Sequence, residues 1–391
     1  MIRRRPHRGL AAAAALVALG LGTAVACSDD GGPSRSAAGS SASTSATTAP
    51  AACTPPAGST EPPAAVAVVG STSDRDLTSF DGTRIRVHWF PLAGATPQDP
   101  RPTVLMGPGW GLAGDSDPTA VGLLGSVSIK SLNDAGFNVL TWDPRGFGAS
   151  GGTAEVDFED AEGRDVGQLL DWVAAQPGVE LDAPGDPRAG MAGGSYGGGI
   201  QLVTAATDCR VDAIVPIIAW HSLTTSLFKA ETIKQGWAGI LSQVSERAAV
   251  DPIVQEAYQH GLDDGTITAA QRRWFASRGP ADLVARITAP TLIIQGTVDT
   301  LFTLDEAVTN YRILRRGDVP VAMLWFCGGH GACFTDPGDV TRVGRAAIAW
   351  LRKYVAHDPL VRLGPRIDVI DQDGTRFTAD DLPKATGTPL T

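Results

Sequence analysis

The chain has 391 residues, 43% of them hydrophobic and 19% charged, enough to bury one large core or two modest ones. A formal net charge of −10, with no basic stripe in the body of the chain, argues against a nucleic-acid partner. Five cysteines occur without a C-x-x-C or H-E-x-x-H pattern, so neither a metal site nor a cofactor is expected.

Residues 1–26 read as a signal peptide. Arg3, Arg4, Arg5 and Arg8 precede a small-apolar run over 10–26, which suits a secretory core and is short for a spanning helix. Ala24-Val25-Ala26 then leads into Cys27 and Ser28-Asp29-Asp30. This resembles a bacterial lipoprotein signal and implies export, lipidation of Cys27 and anchoring at the outer face of the cell membrane. The alternative is cleavage after Ala26 and simple secretion. Residues 27–63 are Ser, Ala, Thr, Pro and Gly almost throughout, a composition that cannot bury a core and is expected to be a disordered tether.

From residue 64 the pattern changes. Residues 83–89 alternate, with Ile85, Val87 and Trp89 on one face after an Asp81-Gly82 turn, which predicts an antiparallel strand in a hairpin. Short apolar runs follow at 103–106, 138–141, 189–192, 213–218, 291–294 and 319–325. Bounded by Gly, Pro and Asp, they suit strands buried on both faces. Val166, Leu169, Leu170 and Val173 fall at helical spacing, as do Val343, Ala346, Ala347 and Trp350. Strands alternating with helices predict an α/β fold with a mostly parallel sheet over residues 64–358. Residues 221–281 break the rhythm with helical segments and no strand, and read as an inserted helical cap. Residues 359–391 form a tail in which 364–382 reads as strand, Asp-Gly turn, strand, too short to be a domain.

The most informative segment is Gly193-Gly194-Ser195-Tyr196-Gly197, a G-x-S-x-G between an apolar run and a helix-compatible stretch. Strand, sharp turn and helix in that order present a serine hydroxyl at the tip of a sheet. An acid and a histidine are then expected downstream, in that order. His7 lies in the signal, His88 precedes the serine, and His221 and His260 precede any acid in the next strand's loop. His357 follows the last long helix and reads as a surface residue. His330 remains, in Cys327-Gly328-Gly329-His330-Gly331-Ala332-Cys333, directly after a predicted strand. The acid is Asp299, after the 291–294 run and a glycine turn. The competing role for it, a helix N-cap, suits Asp305 better. The oxyanion donors expected are the backbone N–H of Tyr196 and one from the Gly107-Pro108-Gly109-Trp110-Gly111 loop, at Gly109 or Trp110. The loop from Asp143 to Gly152 reads as structural, and Trp220 and His221 as lining the pocket mouth. Export makes disulfides permissible, and Cys327 with Cys333 is the expected pair, leaving Cys53 with Cys209.

Asp143-x-Arg145-Gly146-x-Gly148-x-Ser150, the serine elbow, Asp299 and His330 together resemble the α/β-hydrolase superfamily. The Ser195-Tyr196 pair and the shape of the 143–152 loop are similar to its Xaa-Pro dipeptidyl-peptidase and cocaine-esterase-like branch, over about residues 64–356. The resemblance implies a triad of Ser195, Asp299 and His330, with Tyr196 an oxyanion donor through its amide. Members of that branch often place a tyrosine hydroxyl in the first oxyanion loop. This chain has Gly109-Trp110 there, so a backbone amide substitutes. Members also usually carry a C-terminal jelly roll, of which the tail looks like a truncated opening. The function expected is an exported serine hydrolase cleaving an ester or amide in a small molecule or short peptide. A dipeptidyl-peptidase acting after proline is the alternative within the enzymes, and a catalytically silent surface-binding lipoprotein is the alternative outside them.

Overall fold

The computed structural model describes residues 62–122, 127–245, 247–371 and 373–383. The signal segment, Cys27, Cys53 and the tether up to residue 61 lie outside them. The chain runs through β1 (Ala65–Ala67), β2 (Asp74–Thr78), β3 (Arg84–Phe90), β4 (Thr103–Gly107), α1 (Ile129–Asp134), β5 (Asn138–Trp142) and α2 (Arg164–Ala174). A small hairpin of β6 (Leu181–Ala183) and β7 (Asp186–Pro187) precedes β8 (Ala189–Gly194), α3 (Tyr196–Thr207) and β9 (Val211–Ile217). The expected strandless stretch follows as α4 (Leu223–Leu227), α5 (Gln235–Ser245), α6 (Pro252–Asp264) and α7 (Ala269–Ala276). The chain then returns to the sheet with β10 (Thr291–Gly296), α8 (Leu304–Arg316), β11 (Val321–Phe326), α9 (Thr341–Tyr354), β12 (Ile367–Ile370) and β13 (Arg376–Ala379).

Among the described residues, eleven strands form one sheet in the order β1-β2-β3-β5-β4-β8-β9-β10-β11-β12-β13. Neighbours from β5 to β12 are parallel, and the pairs at both edges are antiparallel. Successive side chains of a strand point to opposite faces, and the two faces bury different sets. Leu105, Met191, Ile293 and Met323 share one core with α2 and α8, while Val104, Ala192, Ile294 and Leu324 share the other with α1 and α9. Both faces are therefore covered, which is why these strands read as continuous apolar runs.

The tail departs from expectation. Its hairpin does not open a separate β layer. β12 lies parallel to β11 and β13 folds back on β12, so the hairpin extends the central sheet. The outer edge of β11 otherwise leaves its backbone groups without a ladder, and the contact from Met323 N to Arg366 O at 2.7 Å belongs to the pairing that satisfies them.

A third apolar cluster lies above the C-terminal ends of β4, β8 and β10. Phe147, Tyr196, Trp220, Leu301 and Phe302 from the sheet loops meet Trp237 and Leu241 of α5 there. The cap is also tied by backbone to the 143–154 loop, where Ala154 N donates to Ala249 O at 2.8 Å and Ala249 N to Gly146 O at 2.9 Å.

Candidate active site

Ser195 stands between the last residue of β8 and the first of α3, at φ 56° and ψ −118°. A non-glycine residue in that region is strained and persists only where its surroundings over-determine it. Here Ser195 N donates to Ile217 O at 2.9 Å, and α3 begins at once. The turn is packed against the end of β4 so closely that a Cβ on Gly197 would sit 2.0 Å from Gly107 O. Glycine is required at 197 by that contact.

The three residues singled out in the sequence meet at the ends of β8, β10 and β11. His330 Nε2 lies 2.8 Å from Ser195 Oγ, and His330 Nδ1 lies 2.8 Å from Asp299 Oδ2. Because Nδ1 faces a carboxylate, the proton of the neutral ring belongs there, leaving Nε2 to accept from the serine hydroxyl. The Asp299 side chain is fully buried. Its Oδ1 accepts from Leu301 N at 3.0 Å and Phe302 N at 2.9 Å, and its Oδ2 also accepts from His330 N at 3.1 Å. These donors lock the carboxylate against rotation. Gly329, at φ 123°, passes so near that a Cβ on it would lie 2.6 Å from the Asp299 Cβ. Asp305 is not the N-cap of α8; Thr303 is, with Asp305 in the first turn. His357 is exposed, and His221 bonds Asn310 through Nδ1 at 2.8 Å.

Cys327 and Cys333 form a disulfide around the histidine loop, with Cα atoms 5.4 Å apart. The second pairing expected, Cys53 with Cys209, includes a residue outside those described.

Tyr196 is the first residue of α3, so its N–H has no acceptor within the helix and is free to face a ligand at Ser195. Gly109 and Trp110 lie in the loop that leaves β4 at Gly107. Leu112 N bonds Gly109 O at 3.1 Å, and the Trp110 ring packs edge-on to Tyr196 with centroids 5.2 Å apart. Trp110 Nε1 donates to Leu241 O of the cap at 3.1 Å. The 143–152 loop has a use that its sequence did not disclose. Asp143 accepts from Gly114 N at 2.8 Å and Ala149 N at 2.7 Å, bracing the far end of the Trp110 loop.

Sequence reasoning also missed the support behind Tyr196. Its hydroxyl donates to Glu162 Oε1 at 3.2 Å and accepts from Asp157 N at 3.3 Å. Nothing short-range pairs residues 34 positions apart. Burial pushes the Glu162 carboxyl up to about 7, although Glu155 N and Phe158 N donate to it. Burial and the neighbouring Glu162 charge push Asp157 well above the carboxylate range.

Ser195 opens onto a cavity of about 480 Å³, partly open to solvent. Trp110, Trp220, Leu223, Leu301 and Phe302 are among its walls, and none of the described residues lining it is charged. Trp220, expected at the pocket mouth, is buried and forms part of this wall. His330 is edged by Phe302 and, from the cap, by Trp237, at centroid distances of 5.1 and 5.8 Å.

The sequence model of the X-Pro dipeptidyl-peptidase (S15) family matches residues 81–332, which takes in the serine elbow, Asp299 and His330. The chain belongs to that family. Its fold is that of an α/β hydrolase. Its chain is similar to a CocE/NonD family hydrolase from Staphylococcus aureus at a TM-score of 0.59 and 13% identity, over 80% of this chain and 56% of that one. An alpha-amino acid ester hydrolase also gives 0.59, at 15% identity, over 81% of this chain and 60% of that one. At such identities the likeness is one of fold. A polyketide transferase from a Penicillium species, grgF, is 27% identical over 146 residues, 37% of this chain and 44% of its own length. The S15 hydrolase thus spans less than two thirds of the length of these proteins.

Two outcomes are expected from this site. The folded value of Glu162 lies above its ordinary 4.5, so the folded state holds that proton more tightly. Its contribution to stability is full below about pH 4.5 and is lost as pH rises through about 7. Buried Asp157 and half-buried Asp212 act in the same direction. Denaturation midpoints at pH 5 and pH 8 are therefore expected to differ less in Glu162→Gln than in the parent, and an unchanged difference refutes the assignment. Separately, Cys327→Ser/Cys333→Ser is expected to lose about 2 kcal/mol in urea denaturation, the entropy that so short a bridge removes from the unfolded chain.

Proposed function

We propose that this S15 hydrolase cleaves carboxylic esters, and activated amides, whose acyl group is apolar. Ser195 Oγ attacks the carbonyl carbon while His330 Nε2 takes its proton, and Asp299 holds the ring and stabilises the imidazolium. The amide of Tyr196 and one from Gly109–Trp110 receive the oxyanion. The leaving alcohol or amine takes the proton back from Nε2, and water repeats the sequence to release the acid. The observation that carries this reading is the hydrogen-bonded chain Ser195–His330–Asp299 opening onto a cavity walled without a charged side chain.

Dipeptidyl-peptidase activity after proline is the second reading, favoured by the family match over residues 81–332. That substrate brings a free ammonium group to within one dipeptide of the scissile bond. A buried cation needs a carboxylate partner, and the described residues lining the cavity offer none. For the same S15 hydrolase, export and anchoring through a lipidated Cys27 are proposed from the sequence between Arg3 and Asp30.

Ser195→Ala is expected to lose covalent labelling by a fluorophosphonate and to lower kcat about 10⁴- to 10⁶-fold. Labelling that persists at another serine sinks the assignment. With p-nitrophenyl butanoate and glycyl-prolyl-p-nitroanilide side by side, the ester is expected to be the better substrate by kcat/KM; the reverse order establishes the peptidase instead. Cys27→Ala is expected to move the protein from the membrane fraction to the soluble one. Wild-type protein found in the medium with an unmodified Cys27 refutes the anchor.

A further inference from the structure

The cavity at Ser195 does not end at its own far wall. A second apolar space, partly open to solvent, lies in the cap between α4, α5, α6 and α7. The two share Leu223, Leu227, Leu241, Val254 and Phe275, so they adjoin along these aliphatic and aromatic side chains. Among the described residues, the lining of the second cavity includes no charged side chain, and its polar side chains are Thr224 and Tyr258.

An apolar void is costly to a fold, because its walls forgo dispersion contacts. Protein interiors are otherwise filled to crystal-like density. This one lies in the midst of the cap's own small core, where Phe228, Ala257 and Ile267 are buried. Two wall positions, Ala238 and Ala257, carry side chains too short to fill it, and Ala257 is buried. A cap that served only to cover the site would be closed by larger residues there. The two spaces lead from the serine oxygen away from the sheet and into the helices.

We infer that the second cavity is the distal subsite for a long, unbranched acyl chain, and that the substrates are esters of medium- and long-chain fatty acids. The inference rests on the ester-hydrolase reading above and narrows it. The carbonyl sits at Ser195 Oγ and the first methylenes lie against Trp220 and Phe302. The chain then passes Leu227 and Leu241 between rotamers of those side chains, and its end rests against Ala238 and Ala257. The bonds are those of ester hydrolysis. An acyl–Oγ bond forms as the alkoxy C–O bond breaks, the alcohol leaves with the serine proton relayed by His330, and water then yields the fatty acid.

The test is a series of p-nitrophenyl esters from acetate through butanoate, octanoate and dodecanoate to palmitate, with the full chain. Each methylene that becomes buried raises kcat/KM by up to about fourfold, so the rise is expected to continue past butanoate into the octanoate–dodecanoate range. Ala257→Phe fills the distal space and is expected to lower the dodecanoate-to-butanoate ratio of kcat/KM at least about tenfold. Ala238→Phe is expected to do the same from the opposite helix, which covers the case that one variant misfolds. Glu256→Gln, exposed on α6, keeps the parent ratio. A series that peaks at acetate or butanoate overturns the acyl-chain assignment and leaves the ester-hydrolase reading intact. A rising series whose ratio neither alanine variant changes overturns the placement in the cap. Failure to turn over any ester, with Ser195 unlabelled by fluorophosphonate, overturns the underlying reading itself.

Discussion

One backbone-to-backbone contact sets the geometry of the site. β4 and β8 are parallel neighbours, and where they end the carbonyl of Gly107 occupies the place that a Cβ on Gly197 would need. With that contact made, the turn at Ser195 has to be sharp, α3 has to start at Tyr196, and the loop carrying Gly109 and Trp110 has to leave beside the serine. A side chain at 197 would push strand and helix apart, and Ser195 would relax out of its left-handed conformation. The strain at Ser195 is held by a hydrogen bond to Ile217 and by the packing of Tyr196 between Trp110 and Trp220.

The hydrogen-bonded chain depends on the sheet in a second way. Ser195 and His330 are separated by 135 positions yet stand one strand to either side of the β9–β10 pair. The loops that close the gap have little freedom. Asp299 is held by amides of its own loop and of the histidine's, and the histidine loop is bridged by a disulfide. A fully buried carboxylate is tolerable because those N–H groups solvate it. The imidazole is thereby aimed at the Ser195 hydroxyl.

Polar and apolar parts of the site are separated by the plane of the elbow. Behind it lie Glu162, Asp157 and the Tyr196 hydroxyl, a buried acidic group whose carboxyls are pushed upward by desolvation. Above it the cap supplies aliphatic and aromatic walls. The carboxyl groups are kept under the sheet loops, and two aromatic rings meet His330 edge-on. The cap is fastened to this arrangement by Trp110 Nε1 on Leu241 O and by the backbone pairing at Ala154 and Ala249.

Local signals account for much of this. The strand runs, the two amphipathic helices, the strandless cap and the elbow at Ser195 are each encoded within a dozen residues or so, where periodicity and glycine placement act directly on the backbone. The order of serine, aspartate and histidine along the chain made the hydrogen-bonded set of Ser195, His330 and Asp299 readable by elimination, and the spacing of Cys327 and Cys333 made their bridge readable too. Contacts between distant segments were not legible. Glu162 beneath Tyr196, Asp143 bracing Gly114, the tail's hairpin joining β11, and the apolar space lined by Ala238 and Ala257 leave no local pattern, because each exists only where separate segments pack. By itself the sequence determined the fold and which side chains stand at the strand ends. Only the tertiary structure decided what surrounds them, since burial, pKa and cavity shape are properties of the packed whole and not of any segment.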